Sequence, residues 1–142
     1  AVSDDGTTVN FQLTYRDLAG GPATGAHIHL GAPWTNGPIV VHFCGTGGKP
    51  ACPAEGTVEG SFTAADVQAS PDNNLGAGDL ASLLRAMRAG VTYVNVHNAM
   101  FPGGEIRGQV KAVHDRRGKH DDKDKDDKDN DNDRGTNNSG RN

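Results

Sequence analysis

Apolar side chains are in short supply. Hydrophobic residues make up 34% of the chain and aromatics 5%, less than a globular chain normally carries. The deficit is concentrated at one end, because Asp115 to Asn142 contains no aliphatic or aromatic residue. That stretch has no apolar surface to offset the entropy of ordering it, so it is expected to stay disordered. No apolar run is long enough for a membrane span, and no signal peptide is visible. The sequence starts at Ala1 rather than Met; a cleaved secretory leader and a trimmed boundary both account for that. A basic excess is also missing. The body holds nine acidic residues against six basic, and the tail nine Asp against eight Lys plus Arg. No nucleic-acid-binding face is therefore expected.

Cysteine is nearly absent. Cys44 and Cys52 enclose a Gly/Pro-rich segment without periodicity, and such a pair is most often the disulfide of an exported domain. Metal ligation by the thiolates is the rival reading. The C-x7-C spacing is not a recognised zinc knuckle, however, and no second cysteine pair exists to close a site.

What the chain does contain is short alternating segments separated by Gly and Pro. Thr7 to Tyr15 places Val9, Phe11, Leu13 and Tyr15 on one face and Asn10, Gln12 and Thr14 on the other, the pattern of a half-buried antiparallel strand. Further strands are expected at Gly25–Gly31, at Ile39–Phe43 with Ile39, Val41 and Phe43 inward, and at Thr57–Phe62. Others are expected at Val91–His97 and at Glu105–Val110 with Ile106 and Val110 inward. Thr63 caps a single helical turn, and Pro71 to Gly78 reads as loop. One helix is convincing, at about 79–89: Leu80, Leu83, Leu84 and Met87 share a face, Asp79 caps it and Gly90 ends it. The fold class that follows is all-β, an antiparallel Greek-key sandwich or barrel with one short helix. Residues 1–113 form this β-domain, and 114–142 form a charged low-complexity tail.

The histidines stand out against this frame. In Ala26-His27-Ile28-His29-Leu30 the apolar residues point one way and both imidazoles the other. Val94-Asn95-Val96-His97 repeats the pattern, and His42 has the same polar orientation on its own strand. If these strands are neighbours, the imidazoles converge.

Several blocks together resemble the CHRD domain, named for chordin and widespread in secreted microbial proteins. They are Gly25-Ala26-His27-Ile28-His29, Asn36-Gly37-Pro38-Ile39-Val40-Val41, the Leu-rich helix ending at Gly90, and Tyr93-Val94-Asn95-Val96-His97 leading into Phe101-Pro102-Gly103-Gly104-Glu105-Ile106-Arg107-Gly108-Gln109. The resemblance covers about Thr7 to Val110 and implies an extracytoplasmic β-domain, secreted, periplasmic or at the cell surface. CHRD domains usually begin with a further strand or two, around a Gly-x-x-Glu-Val-Pro-Pro-like segment, which is not found here. The sheet edge so exposed is a site for strand addition, so a homo-oligomer or strand-exchanged assembly is expected.

Neutral imidazole is the commonest protein ligand for copper and zinc. A His-x-His pair on a strand plus a third His from a neighbour makes a three-His site with an open position. It is similar to the copper site of Cu,Zn superoxide dismutase, which makes copper the expected metal and zinc the alternative. The metal set is His27, His29 and His97, with His42 as fourth ligand or outer partner. Asn95 is expected to orient His97, and Arg107 to steer an anion. Taken singly, each of these histidines would be an ordinary surface residue. A blue-copper set from His42, Cys44, His97 and Met100 fails if Cys44 is in a disulfide. A hydrolytic zinc site lacks a convincing base, since Glu105 and Arg107 are more simply a structural salt bridge or a surface feature. In the tail, Asp129 to Asp133 alternates like an EF-hand loop, but the residue that should be the bidentate Glu is Gly140; no calcium site is expected. His114 and His120 are expected to be solvated. The rival function is a non-catalytic extracellular structural or adhesion module that assembles through its open edge.

Overall fold

The computed structural model describes residues 1–113. The expectations for the tail, with His114, His120 and the Asp129–Asp133 run, lie outside the described residues. The strands are β1 (Thr8–Tyr15), β2 (Ala23–Leu30), β3 (Ile39–Cys44), β4 (Gly56–Thr63), β5 (Thr92–Asn98) and β6 (Ile106–Gln109). One α-helix, α1 (Leu80–Arg88), precedes β5. The strands form two antiparallel sheets, β1–β4 and β3–β2–β5–β6. They pack as a sandwich, not a closed barrel.

Alternation sets which side of each strand enters the core. Val9 and Tyr15 from β1, Phe62 from β4, Ala26 and Ile28 from β2, and Val96 from β5 are all buried together. Phe11 stacks on Phe43 across the sandwich, 4.0 Å between ring centroids. Helix α1 closes the remaining side with Leu80, Leu83 and Leu84 buried. Its first turn is satisfied by the Asp79 carboxylate, which accepts from the Ser82 amide at 2.9 Å. Thr63 and Asp66 form a capping box around the short turn Ala64–Asp66. The Cys44–Cys52 disulfide is formed. Among the described residues no helix is long and apolar enough to cross a membrane.

Three expectations need correction. Val40 belongs to the core beside Val41, both fully buried, although strict alternation would turn it out with His42. The pairing of β2 with β3 is irregular around Ile28/His29, and such a bulge re-aims the side chain beside it. The 71–78 segment is not all loop, since Pro71–Asn73 makes a 3-10 turn. Ile106 was expected inward but remains 43% exposed. Strand β6 is the edge of a four-stranded sheet that faces a sheet of only two strands, and the narrower sheet does not reach it. Leu13, Val94, Val96 and Ile106 are left lining an open groove of about 270 Å³.

Candidate metal centre

Strands β2 and β5 are hydrogen-bonded neighbours in the middle of the larger sheet. Their register sets His27 opposite Asn95, His29 opposite Tyr93, and Gly25 opposite His97. All these residues share the face turned away from the core. It is the His27 ring that lies over the residue without a side chain: a Cβ on Gly25 would come within 3.1 Å of it. The face is polar but not open to water, contrary to a simple outer-wall reading. His27 is 4% exposed and His29 7%. The 45–48 connection meets the first through Thr46 and the 31–38 connection the second through Gly37, while the 99–104 connection meets His97 through Pro102. His97 is half-buried.

One nitrogen from each of His27, His29 and His97 lies within 4.8 Å of the other two. His27 Nδ1 and His97 Nε2 are 3.1 Å apart. An ion at about 2.0–2.1 Å from each ligand holds its ligand nitrogens roughly 3.3 Å from one another, so small side-chain rotations suffice to close the site.

The remaining nitrogens are already engaged. His29 Nδ1–H donates to the Gly37 carbonyl at 2.8 Å, and His97 Nδ1–H to the Pro102 carbonyl at 2.8 Å. A carbonyl can only accept, so both rings carry a proton on Nδ1. His29 then presents a bare lone pair at Nε2, whereas His97 Nε2 is already met by the Asn95 side-chain amide at 2.8 Å, a contact that an ion would replace. His29 Nε2 is fully buried and has no hydrogen-bond partner. A buried acceptor left without a donor costs about 1–3 kcal/mol. A cation at the meeting point of the three rings would relieve it, so the residues present fit a metal. On His27 it is Nε2 that is engaged, 2.6 Å from the Thr46 hydroxyl, while Nδ1 faces the cluster. Hydrogen-bonded outer partners of this kind orient metal-binding imidazoles.

Burial and the neighbouring imidazoles of His97, His42 and His29 push the His27 pKa down from 6.5 to about 3. Burial likewise holds His29 below its ordinary value. Both rings are thus kept in the neutral form that ligates metal.

The other named residues fall around this cluster. His42 packs edge-on against His27, 4.9 Å between centroids, and its Nδ1 stands 2.8 Å from the Thr46 hydroxyl; it is not one of the converging nitrogens. Asn95 Oδ1 lies 2.8 Å from His97 Nε2. Arg107 stacks over Tyr93, its guanidinium carbon 3.5 Å from the ring centroid, and donates to the Thr35 carbonyl. The Tyr93 ring in turn stacks on His29 at 4.8 Å, so an aromatic ring lies between Arg107 and the nearest of the three histidines.

The anticipated Glu105–Arg107 pair does not form among the described residues. Glu105 instead accepts from the Ala19 and Gly20 amides and from the Asn98 side chain, stapling two loops together. Cys44 is tied up in its disulfide, which removes the thiolate that a blue-copper set requires.

Sequence reasoning missed Thr46, Tyr93 and the two carbonyl partners. Tyr93 was legible, since alternation puts it on the face of Asn95 and His97. Thr46, Gly37 and Pro102 sit in aperiodic loops and carry no such signal.

No curated protein and no solved structure matches the chain. The family model described as CHRD domain matches residues 1–110, a span that contains every strand and the α-helix among the described residues and all three converging histidines. The chain belongs to the CHRD domain family.

Proposed function

We propose that this is an exported copper-binding protein in which His27, His29 and His97 hold the metal. The observation that carries the reading is the convergence of three imidazole nitrogens, one of them buried without any other partner. An all-imidazole set without a carboxylate suits copper or zinc. The likeness to the His-x-His copper site of Cu,Zn superoxide dismutase, an analogy of arrangement only, favours copper. Bound copper would supply one-electron redox chemistry or a cargo to be handed on. The chain's own part is to keep the rings neutral, to aim them, and to admit small molecules from the half-buried His97 side. Export is supported by the disulfide. In this reading residues 1–113 are the working domain and 114–142 a charged low-complexity tail.

Metal analysis and a Cu(II) spin-resonance spectrum test it. The expected result is a single copper per chain with hyperfine structure from nitrogen ligands. Protein that takes up neither copper nor zinc would overturn it.

One observation favours the second reading, a structural module that assembles through its sheet edge. The groove beside Ile106 is apolar and open, and among the described residues the edge of β1 away from β4 is paired only at its start, where Val2 bridges Val9. Strand addition there would cover both. Size-exclusion chromatography separates the readings: assembly that survives chelator and is broken by Ile106→Lys belongs to the edge, not the metal.

A further inference from the structure

We propose that Thr46 is a positioning residue of the metal centre, fixing His27 so that Nδ1 faces the ion, and that the Cys44–Cys52 disulfide holds Thr46 in place. This rests on the metal reading above. His27 is the odd ligand of the three, offering Nδ1 where His29 and His97 offer Nε2. Its other nitrogen meets the Thr46 hydroxyl at 2.6 Å, and that hydroxyl also meets His42 Nδ1 at 2.8 Å. A hydroxyl has one proton to give. If it goes to His42, the hydroxyl oxygen accepts the His27 Nε2 proton, and Nδ1 is left bare for the metal. If the hydroxyl proton goes to His27 Nε2 instead, or the hydroxyl is lost, His27 keeps its proton on Nδ1 and donates it to His97 Nε2, 3.1 Å away. That bond would occupy two of the three ligand atoms at once.

The loop bearing Thr46 is closed at its base by the disulfide. Within it, the Gly45 amide donates to the Pro50 carbonyl at 2.7 Å and the Lys49 amide to the Thr46 carbonyl at 3.1 Å. Lys49 also pairs with Asp66 at 2.6 Å, tying the loop to the turn after β4. Gly47, at φ +61°, lies so close to the His42 ring that a Cβ there would stand 2.4 Å from it. The hydroxyl is thus clamped from both sides, by covalent closure and by packing against the imidazole it serves.

The test compares copper affinity and Cu(II) spin-resonance spectra of wild type, Thr46→Val, Thr46→Ser and the double variant Cys44→Ser/Cys52→Ser. Nitrogen-15 NMR of the imidazoles reports the His27 tautomer. Thr46→Val should weaken copper roughly 10- to 100-fold, the usual effect of losing an outer partner. It should also change the spectrum and shift the His27 proton toward Nδ1. Thr46→Ser should restore all three, and the cysteine variant should move in the direction of Thr46→Val. Circular dichroism confirms that each variant is folded. Wild-type protein that binds neither copper nor zinc overturns both this inference and the metal reading. If wild type binds and Thr46→Val keeps its affinity, spectrum and tautomer, this inference alone falls. Wild-type affinity in a folded cysteine variant overturns the role given to the disulfide.

Discussion

The variant His27→Ala/His29→Ala should lose copper and zinc binding by about four orders of magnitude while keeping the sandwich folded. Structural zinc sites with four ligands bind with apparent free energies of about 10–16 kcal/mol, roughly 3 kcal/mol per ligand. Each ligand is therefore worth a factor of more than about 100 in affinity, and two removed together leave a lone imidazole. The fold should survive because the packing side of β2 is carried by other residues. Ala26 and Ile28 are fully buried on the core side, and neither substitution touches them. Deleting His29 leaves the Gly37 carbonyl without its donor, at a cost of about 1 kcal/mol. It also removes the buried acceptor that has no partner, so the two changes oppose each other. Calorimetric titration with Cu(II), alongside thermal melts in chelator, reads both halves. A folded variant that binds copper with undiminished affinity would place the metal elsewhere.

Much of this site could be read before any coordinates, for a simple reason. Period-two alternation states which residues share a face, so His27, His29, Asn95 and His97 declared themselves as polar-face residues of two strands. Alternation is silent on which strands are neighbours. That β2 and β5 pair with Gly25 opposite His97 is a long-range fact, which the sequence left as a condition. It is equally silent on loops. A polar face reads as a wet face, yet three connections cover this one, and burial rather than exposure makes the rings good ligands. Helix α1 was legible because Asp79, the leucine spacing and Gly90 agree. Val40 and Ile106 were misread for opposite reasons: an irregular pairing carries Val40 into the core, and an incomplete opposing sheet leaves Ile106 uncovered. Neither has a local signature. Thr46 was invisible because its role is set by a loop closed through a disulfide.

The metal-free protein should become less stable as the pH falls from about 6.5, before any carboxylate titrates. In the unfolded chain His27 takes up a proton near its ordinary 6.5, whereas burial and its imidazole neighbours keep it neutral in the native state down to about 3. Between those values the unfolded state binds one more proton than the folded state. Stability therefore rises with pH through this window and falls with acid, by about 1.4 kcal/mol per pH unit for one group. From 6.5 to 5 that amounts to about 2 kcal/mol from His27 alone, a sizeable part of a total of about 5–15 kcal/mol. His29, depressed by its own burial, acts in the same direction. The carboxylates held low by hydrogen bonds, Asp5 by Ser3, Asp66 by Lys49 and Asp79 by Ser82, start from ordinary values of 3.8. With Glu105, held low from 4.5, they come into play below about pH 5, so the slope between 6.5 and 5 is read mainly from the histidines. Urea unfolding in chelator at pH 7.5, 6.5, 5.5 and 5.0 measures the slope, and His27→Asn should remove the His27 share of it. A flat profile in the wild type would mean that the rings accept protons as readily folded as unfolded. A cluster that does so is open to water, and the burial on which the metal reading depends would not hold.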